Sequence, residues 1–350
     1  MALYERVADL PLVVDRVEFE QYERDTSSGF TRITTEIVLH GDGETGRGED
    51  VTYDEDDQRA LLDLDADLAG EYAFDEFSAV VGDRDLFPRG PDREDFREYR
   101  RWGFESAALD LALRQADSDL PDVLDREPEP VRFVASTGLG DPPTTERVDR
   151  WLDHDPELEF KLDAGSDWTV ELVAELSETD AVRVVDMKAQ YGEAEVNQPP
   201  DADLYRRVRN GLEDALIEDP AYTDETADVL DEARERVTWD APIHGVESVE
   251  DLPFEPDWLN VKPSRFGSVE SLFETLEYCD RHDVRTYGGG QFELGVGRGQ
   301  IQLLAALFYP DAPNDVAPKR YNDPEPSPGL PRSPLDAPTS ADVAGFRWER

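Results

Sequence analysis

Charged side chains recur where the short apolar segments of residues 131–310 end. They are carboxylates and ammonium groups: Lys161, Asp163, Asp186, Lys188, Glu218, Asp219, Asp240, Lys262 and Glu293. Three of the chain's four lysines belong to this set, whereas nearly all its other cations are arginines. If these lysines were ordinary surface residues, they would not be expected to concentrate at such positions in a chain that otherwise uses arginine. The set therefore predicts a functional site.

Three carboxylates of this set have a spacing that suits a metal ion. Asp186, Glu218 and Asp240 lie 32 and 22 residues apart, about one strand–helix unit each. At the ends of neighbouring parallel strands they would converge, and converging carboxylates repel each other unless a cation neutralises them. Mg²⁺ prefers oxygen ligands and leaves positions open for water or substrate. The triad therefore predicts a site for Mg²⁺, with Mn²⁺ as the alternative.

Lysines beside such a cation indicate proton transfer. The metal ion would stabilise an enolate at the substrate. We expect nearby positive charge and burial to lower the pKa of a neighbouring ammonium group until it can act as a base. The predicted chemistry is abstraction of a proton α to a carboxylate.

The first third of the chain reads as an α+β domain that precedes this site. Residues 13–53 alternate apolar and polar side chains around turn sequences, which predicts an antiparallel meander of about three strands. Helical periodicity follows at residues 57–68 and 93–116. We predict a capping domain over residues 1–125.

The middle of the chain must position the charged set. Residues 131–310 alternate about seven short apolar runs with amphipathic segments, several of which begin with Ser or Asp. This pattern predicts an α/β fold, a modified TIM barrel of the (β/α)7β type. An open doubly wound sheet is disfavoured because no GxGxxG follows a strand. The proline-rich residues 311–350 are predicted to return to the capping domain.

Composition limits the partners of the protein. The formal net charge is −48 and its acidic residues are spread along the chain. That sign disfavours nucleic acid and anionic membranes and is typical of a cytoplasmic, salt-adapted protein. The single Cys279 excludes an internal disulfide and a cysteine metal cluster. We read neither a signal peptide nor a membrane anchor, and we expect a small carboxylate as the partner.

Six motifs, in this order along nearly the whole chain, resemble those of the enolase superfamily. They are GRGEDVTY, ESAALDLALRQA, the trio VVDMK, LIEDP and TWDAP, then NVKPSRFGS, GGGQFELGVGRGQ and PNDVAPKRY. The resemblance implies a capped barrel, metal ligands at Asp186, Glu218 and Asp240, and an acid/base at Lys262. A dimer or octamer would be ordinary in this superfamily, so a homo-oligomer is one expectation.

The resemblance also implies a branch. YGGGQFE lacks the histidine of the mandelate-racemase branch, whereas Lys161 and Lys262 fit the opposed lysines of the muconate-cycloisomerase and o-succinylbenzoate-synthase branch. Two positions depart from that branch. Asp163 replaces the second lysine of K-x-K, so the second acid/base is Lys161, or Asp163, or is lost. Lys188 replaces the asparagine of D-x-N, where it either binds a substrate carboxylate or pairs with a neighbouring acid. Ser264 and Glu293 are further candidates for substrate contact.

The leading hypothesis is a metal-dependent lyase or isomerase that forms an enediolate, similar to o-succinylbenzoate synthase or a cycloisomerase. A sugar-acid dehydratase or an epimerase of the same superfamily is the first alternative. Because Asp163 and Lys188 depart from the branch pattern, a non-catalytic, enolase-like binding protein is the second alternative. A Schiff-base aldolase that uses Lys188 or Lys262 is the third alternative, and the carboxylate triad argues against it.

Overall fold

The computed structural model of the protein describes residues 1–192, 194, 196–339 and 342–348. Within these residues no helix combines the length and the apolar character that a membrane crossing requires.

The first domain consists of a meander, a short strand pair and four helices. In chain order its elements are β1 (Pro11–Val14), β2 (Arg16–Asp25), β3 (Thr31–Gly41), β4 (Glu44–Asp50), α1 (Glu55–Leu61), β5 (Gly70–Ala73), α2 (Phe74–Gly82), α3 (Phe96–Gln115) and α4 (Leu120–Leu124). β2, β3 and β4 form the predicted antiparallel meander. The helix predicted at 93–116 is α3, whereas the one predicted at 57–68 is the shorter α1.

Helix α3 packs closely against the meander because β4 presents glycine to it. A Cβ atom added at Gly48 would lie 2.6 Å from the backbone nitrogen of Ala107 and would overlap the carbonyl oxygen of Gly103. Backbone cannot move aside as a flexible side chain can, so only glycine permits this distance between strand and helix. The close packing fixes the capping domain's sheet on its longest helix.

The second domain alternates strands and helices as predicted. Its elements are β6 (Val134–Thr137), α5 (Glu146–His154), β7 (Glu159–Asp163), α6 (Val170–Glu178), β8 (Val182–Asp186), α7 (Ala202–Gly211), β9 (Leu216–Glu218), α8 (Ala227–Asp231), β10 (Val237–Trp239), α9 (Val246–Glu250), β11 (Trp258–Val261), α10 (Pro263–Phe266), α11 (Val269–Arg281), β12 (Arg285–Gly288) and α12 (Gly297–Phe308). The seven strands are parallel and adjacent in chain order.

Two residues after α12 close this sheet. Asn314 forms a parallel bridge to Phe133, just before β6, and Asp315 forms one to Gly289, just after β12. The backbone nitrogen of Asp315 donates to the carbonyl oxygen of Gly288 at 2.8 Å. The eighth position of the barrel is thus a two-residue segment, and the prediction of a modified barrel is confirmed.

Local sequence explains why the barrel helices start where they do. The side chains of Thr169, Asp201 and Ser268 accept backbone N–H groups in the first turns of α6, α7 and α11. Such caps satisfy donors that the helix itself leaves unpaired. The reading of Ser and Asp as helix starts is thus confirmed at Asp201 and Ser268, whereas α6 is capped by Thr169, which follows the serine expected to start it.

The segment after the barrel contacts the first domain. It ends in the antiparallel pair β13 (Val343–Ala344) and β14 (Arg347–Trp348). Asp110 of α3 accepts the backbone nitrogen of Phe346 at 2.9 Å and pairs with Arg347 at 2.8 Å. Asp323 forms an ion pair with Arg24 of β2. The predicted domain limits of 1–125, 131–310 and 311–350 stay a prediction.

Candidate active site

A cavity of about 810 Å³ lies where the barrel strands end. Lys161, Asp163, Lys188 and Lys262 line it from the barrel, and residues of the first domain line it from above. Strands that run parallel in one barrel end at the same rim, so their final side chains converge there. Four of the nine charged residues at the predicted strand ends therefore line one space.

Asp186 and Glu218 are fully buried beneath this cavity. Asp186 accepts hydrogen bonds from the backbone nitrogen of Lys188 at 2.9 Å and from the Lys188 ammonium group. Glu218 accepts from the Lys161 ammonium group and the Tyr287 hydroxyl, and from Asn260 at 3.1 Å. Each carboxylate is therefore held by at least one lysine.

Asp219 completes the most compact carboxylate cluster in the described part of the chain. Single oxygen atoms of Asp186, Glu218 and Asp219 all lie within 4.8 Å of one another. Asp219 also accepts the backbone nitrogens of Asp240 and Ala241 at 2.8 and 3.0 Å, which ties the end of β9 to the end of β10.

Asp240 has a different environment from Asp219. Its carboxylate accepts from Arg265 Nε at 2.9 Å, from Tyr191 at 3.2 Å, and pairs with Lys262 Nζ at 2.8 Å. It is buried between two cations. The structure thus offers two candidates for the third metal ligand, and the assignment to Asp240 stays a prediction.

The pKa values divide these carboxyl groups into two pairs. Burial, reinforced by Asp186 and Asp240, raises the pKa of Glu218 to about 7 although Lys161 opposes the shift. Burial and the neighbouring Asp240 raise the pKa of Asp219 well above its usual value. For Asp186, Lys188 and Lys161 outweigh burial and lower the pKa to about 2. Arg265 and Lys262 likewise outweigh burial and lower the pKa of Asp240.

The balance of charge around the cavity fits a divalent cation. On the barrel side of the cavity, the described residues include six carboxylates and four cations, an excess of two negative charges; the groups are Asp163, Asp186, Glu218, Asp219, Asp240 and Asp315 with Lys161, Lys188, Lys262 and Arg265. Burial and neighbouring carboxylates raise the pKa of Glu218 and Asp219, so additional positive charge beside them would be favourable. Hard divalent cations are bound by such oxygen ligands.

The lowered pKa expected for a lysine beside a bound cation stays a prediction, and carboxylates that contact two of the lysines oppose such a shift. Burial lowers the pKa of the Lys161 ammonium group, but Glu218 and then Asp186 outweigh burial and hold it well above its usual value. Asp163 and Asp186 do the same for Lys188.

The two departures from the branch pattern meet in space. Lys188 Nζ lies 3.2 Å from Asp163 Oδ1, so the aspartate that replaces a lysine pairs with the lysine that replaces an asparagine. The Lys188 side chain is 21% exposed and that of Asp163 36%, against 1% for Lys161. The ion pair that the sequence left as one alternative therefore exists, and both partners still line the cavity.

The remaining predicted residues differ in position. Lys262 follows β11 and lines the cavity, and a Cβ atom at Gly289 would lie 2.6 Å from its Cε atom, so the glycine leaves room for this lysine. Glu293 is buried and pairs with Arg298 at 2.9 Å. Ser264 is buried in α10. The structure brings neither Ser264 nor Glu293 into the lining of the cavity.

Several cavity residues were not among the predicted site residues. They are Arg265, Tyr191, Asp315, Tyr99 and Gln291. Arg265 and Asp315 lie in motifs that the sequence did show, whereas Tyr191 lies in an irregular loop that carries no pattern. Gln291 accepts from the Tyr53 hydroxyl at 2.8 Å and donates to the Tyr99 hydroxyl at 3.2 Å. These bonds connect the first domain to the barrel rim.

Carboxylates of the first domain hold the loop after β12. Glu49, from the GRGED motif, accepts the backbone nitrogens of Leu294, Gly295 and Gly297 at 2.7 to 2.9 Å. Glu36 accepts that of Val296 at 2.6 Å. Negative charge near the start of a helix is favourable, so the start of α12 is fixed from the capping domain.

Two family models match the chain. Their descriptions are the N-terminal and C-terminal domains of a domain of unknown function, DUF8230, and they match residues 5–123 and 127–323. The chain belongs to the DUF8230 family. Among curated proteins, o-succinylbenzoate synthase from Bacillus subtilis is 32% identical to this DUF8230 chain over 59 residues. That match covers 17% of the chain and only 16% of the enzyme.

Solved structures show what fold this DUF8230 protein has. A member of the enolase superfamily from Listeria innocua matches with a TM-score of 0.68 at 17% identity, over 96% of this chain and 94% of that one. Muconate lactonizing enzyme from Pseudomonas putida matches with a TM-score of 0.64 at 18% identity, over 87% of this chain and 88% of that one. Dipeptide epimerase from Enterococcus faecalis matches with a TM-score of 0.69 at 13% identity, over 97% of this chain and 100% of that one. The predicted enolase-superfamily fold is confirmed.

Proposed function

We propose that this protein is a metal-dependent enzyme that abstracts a proton α to a carboxylate and then eliminates or isomerises the enediolate. The observation that carries the proposal is the convergence of three lysines on buried carboxylates at one cavity. The carboxylates account for a cation, and the lysines account for proton transfer and for binding an anionic substrate.

Asp186 and Glu218, with either Asp219 or Asp240, would hold the cation, for which Mg²⁺ and then Mn²⁺ are the candidates. When bound, it supplies positive charge that stabilises the enediolate. Asp240 has a second role in either case, because it orients the Lys262 ammonium group at 2.8 Å.

Lys262 is the residue that we assign to the proton at the substrate's α-carbon. It is 7% exposed, lines the cavity and is held in one orientation by Asp240. Lys161, whose ammonium group contacts Glu218, is placed to supply positive charge beneath the substrate. Asp163 is the more exposed of the two candidates for the second acid/base, and Lys188 beside it is suited to bind a substrate carboxylate.

Two reaction outcomes have specific support. The 32% identity to o-succinylbenzoate synthase over 59 residues and the fold likeness to muconate lactonizing enzyme favour elimination or cycloisomerisation. The fold likeness to dipeptide epimerase keeps epimerisation as the second candidate. Both outcomes begin with the same proton abstraction, so one assay tests the step they share.

That assay measures α-proton exchange in D₂O over a panel of carboxylic acids, by NMR and mass spectrometry. It compares protein with Mg²⁺ against protein treated with EDTA, in molar KCl because of the predicted salt adaptation. Removing a general acid/base typically costs 10²- to 10⁴-fold in rate. We expect Lys262→Met to lose exchange by about that factor.

Lys319→Met is the matched control, because Lys319 donates to the carbonyl oxygen of Leu294 and does not line the cavity. Exchange at the wild-type rate in Lys262→Met would refute the role of Lys262. Metal binding without exchange of any acid would favour a binding protein. Borohydride trapping that EDTA does not affect would favour a Schiff-base aldolase.

A further inference from the structure

The cavity divides into a charged floor and an aromatic wall. The floor consists of Lys161, Lys188 and Lys262, and the wall consists of Phe30, Tyr53, Phe96 and Phe292. Most of the wall comes from the first domain, whereas the whole floor comes from the barrel. A ligand that fills this space therefore meets two environments of opposite character.

The aromatic side chains of the wall contact one another and leave ring surface open. The ring centroids of Phe30 and Phe292 are 5.5 Å apart in an edge-to-face arrangement, and those of Phe30 and Tyr53 are 6.1 Å apart. Phe30 and Tyr53 are each 37% exposed. Rings packed in this way present a preformed apolar surface to a ligand.

Exposed apolar side chains are concentrated at this cavity. Among the described residues six large apolar side chains are exposed, namely Met1, Phe30, Tyr53, Leu62, Val170 and Val196. Three of the six, Phe30, Tyr53 and Val196, line this one cavity. The chain is 34% charged, so apolar surface at one opening is not a general property of its exterior. Clustered exposed apolar groups mark binding sites.

Two polar side chains beside the rings, those of Tyr53 and Arg93, are already paired within the protein, and Ser28, Asp54 and Asp92 also line the cavity. The Tyr53 hydroxyl donates to Gln291, and the Gln291 amide donates to Tyr99, which also accepts from Arg265 at 3.0 Å. Arg93 is bound to Asp95 by two hydrogen bonds of 3.0 and 2.6 Å. Against the ring surfaces, a ligand with many hydroxyl groups would lose hydrogen bonds to water and regain few of them.

We propose that the ligand of this cavity is a carboxylic acid with an apolar, ring-bearing tail, and that Phe30 and Tyr53 select it. The carboxylate lies on the floor among the lysines and the tail lies against the wall. The inference rests on the proposed function for the chemistry at the floor. It goes beyond that function by favouring aryl acids and disfavouring polyhydroxylated acids, the substrates of the sugar-acid dehydratase alternative.

Isothermal titration of the full chain with Mg²⁺ in molar KCl tests the inference. The probes are 4-phenylbutanoate and D-gluconate, which share a carboxylate and differ in the tail. We expect 4-phenylbutanoate to bind at least tenfold more tightly. Phe30→Ala should weaken it about tenfold and leave gluconate unchanged. Leu62→Ala, which alters an exposed apolar residue away from the cavity, should change neither affinity.

Tighter binding of gluconate, or equal binding of 4-phenylbutanoate to wild type and Phe30→Ala, would overturn the inference. The α-proton exchange assay separates the two proposals. Exchange confined to hydroxylated acids would overturn the ligand class and leave the proton abstraction standing. Tight, Phe30-dependent binding of aryl acids without any exchange would uphold the ligand class and overturn the enzymatic function.

Discussion

Asp240→Asn and Asp219→Asn should change stability very differently, although the two residues are neighbours in space. Asp240 neutralises Lys262 at 2.8 Å and Arg265 at 2.9 Å, and the side chains of these cations are only 7% and 5% exposed. An asparagine at 240 keeps one acceptor oxygen and turns an NH₂ group toward groups that are themselves donors. Two buried cations would then lack their counter-charge.

The magnitude follows from the burial of these ion pairs. Removing one partner of a buried pair costs about 3–5 kcal/mol, because the other charge stays buried without compensation. All three groups are nearly or fully buried, so water screens them little. We expect Asp240→Asn to lose at least about 3 kcal/mol, which is roughly a hundredfold in the folding equilibrium constant.

Asp219→Asn is the matched control. The pKa of Asp219 is raised by burial and by nearby carboxylates, so the folded protein favours its neutral form. Asparagine is close to that form in shape and charge, and its one oxygen can take the place of Oδ1, which accepts the backbone nitrogens of Asp240 at 2.8 Å and Ala241 at 3.3 Å. We expect the free energy of unfolding to change by less than about 1 kcal/mol, the range of a typical neutral hydrogen bond.

The assay is urea unfolding in molar KCl with EDTA, followed by circular dichroism. An equal decrease in the free energy of unfolding of the two variants, or a larger decrease for Asp219→Asn, would refute the conclusion that Asp240 is the carboxylate that neutralises the two cations. The double variant Asp240→Asn/Arg265→Gln should recover part of the loss, because one unpaired cation is removed. Repeating the experiment with Mn²⁺ identifies the third ligand, since a bound ion adds stability that the variant lacking a ligand loses.

Three further predictions concern the capping domain. Burial raises the pKa of Glu105 above 4.5, so its ionisation costs stability as the pH rises above that value. The free energy of unfolding of Glu105→Gln should therefore increase relative to that of wild type between pH 5 and pH 8. An equal difference between the two proteins at both pH values, measured by urea unfolding, would contradict this. Gly48→Ala forces a Cβ atom against the backbone of α3 and should cost about 2 kcal/mol in the same assay. Asp110→Ala removes the acceptor of Phe346, so amide hydrogen exchange at residues 343–348 should accelerate at least tenfold, whereas an unchanged rate would show that other contacts hold β14.

The sequence allowed the barrel and the location of its site to be predicted because both depend on local patterns. Parallel strands buried on both faces appear as short apolar runs, and the residue after each run must lie at the same rim. That reasoning brought Lys161, Asp186, Glu218 and Lys262 to one cavity. It also placed the meander correctly, since alternation with a period of two is a property of each strand by itself.

Partnerships across the rim could not be predicted. The spacing of residues does not predict that Lys188 forms an ion pair with Asp163, or Arg265 with Asp240. These pairs depend on side-chain conformations in a closed barrel. The carboxylates that raise the pKa of Lys161 and Lys188 could not be predicted for the same reason. Tyr191 reaches the site from an irregular loop, which gives no periodic signal.

The two-residue eighth position of the barrel has a consequence for how the protein is made. Asn314 and Asp315 join β6 to β12, and they are separated from β6 by nearly the whole of the barrel sequence. The ribosome synthesises the chain from its N-terminus, so the barrel cannot close before residue 315 has emerged. Until then, the seven strands can form at most an open sheet. Both outer strands of that sheet are then unpaired edges, which can associate with other chains. A dense negative charge on every nascent copy keeps such copies apart during that interval.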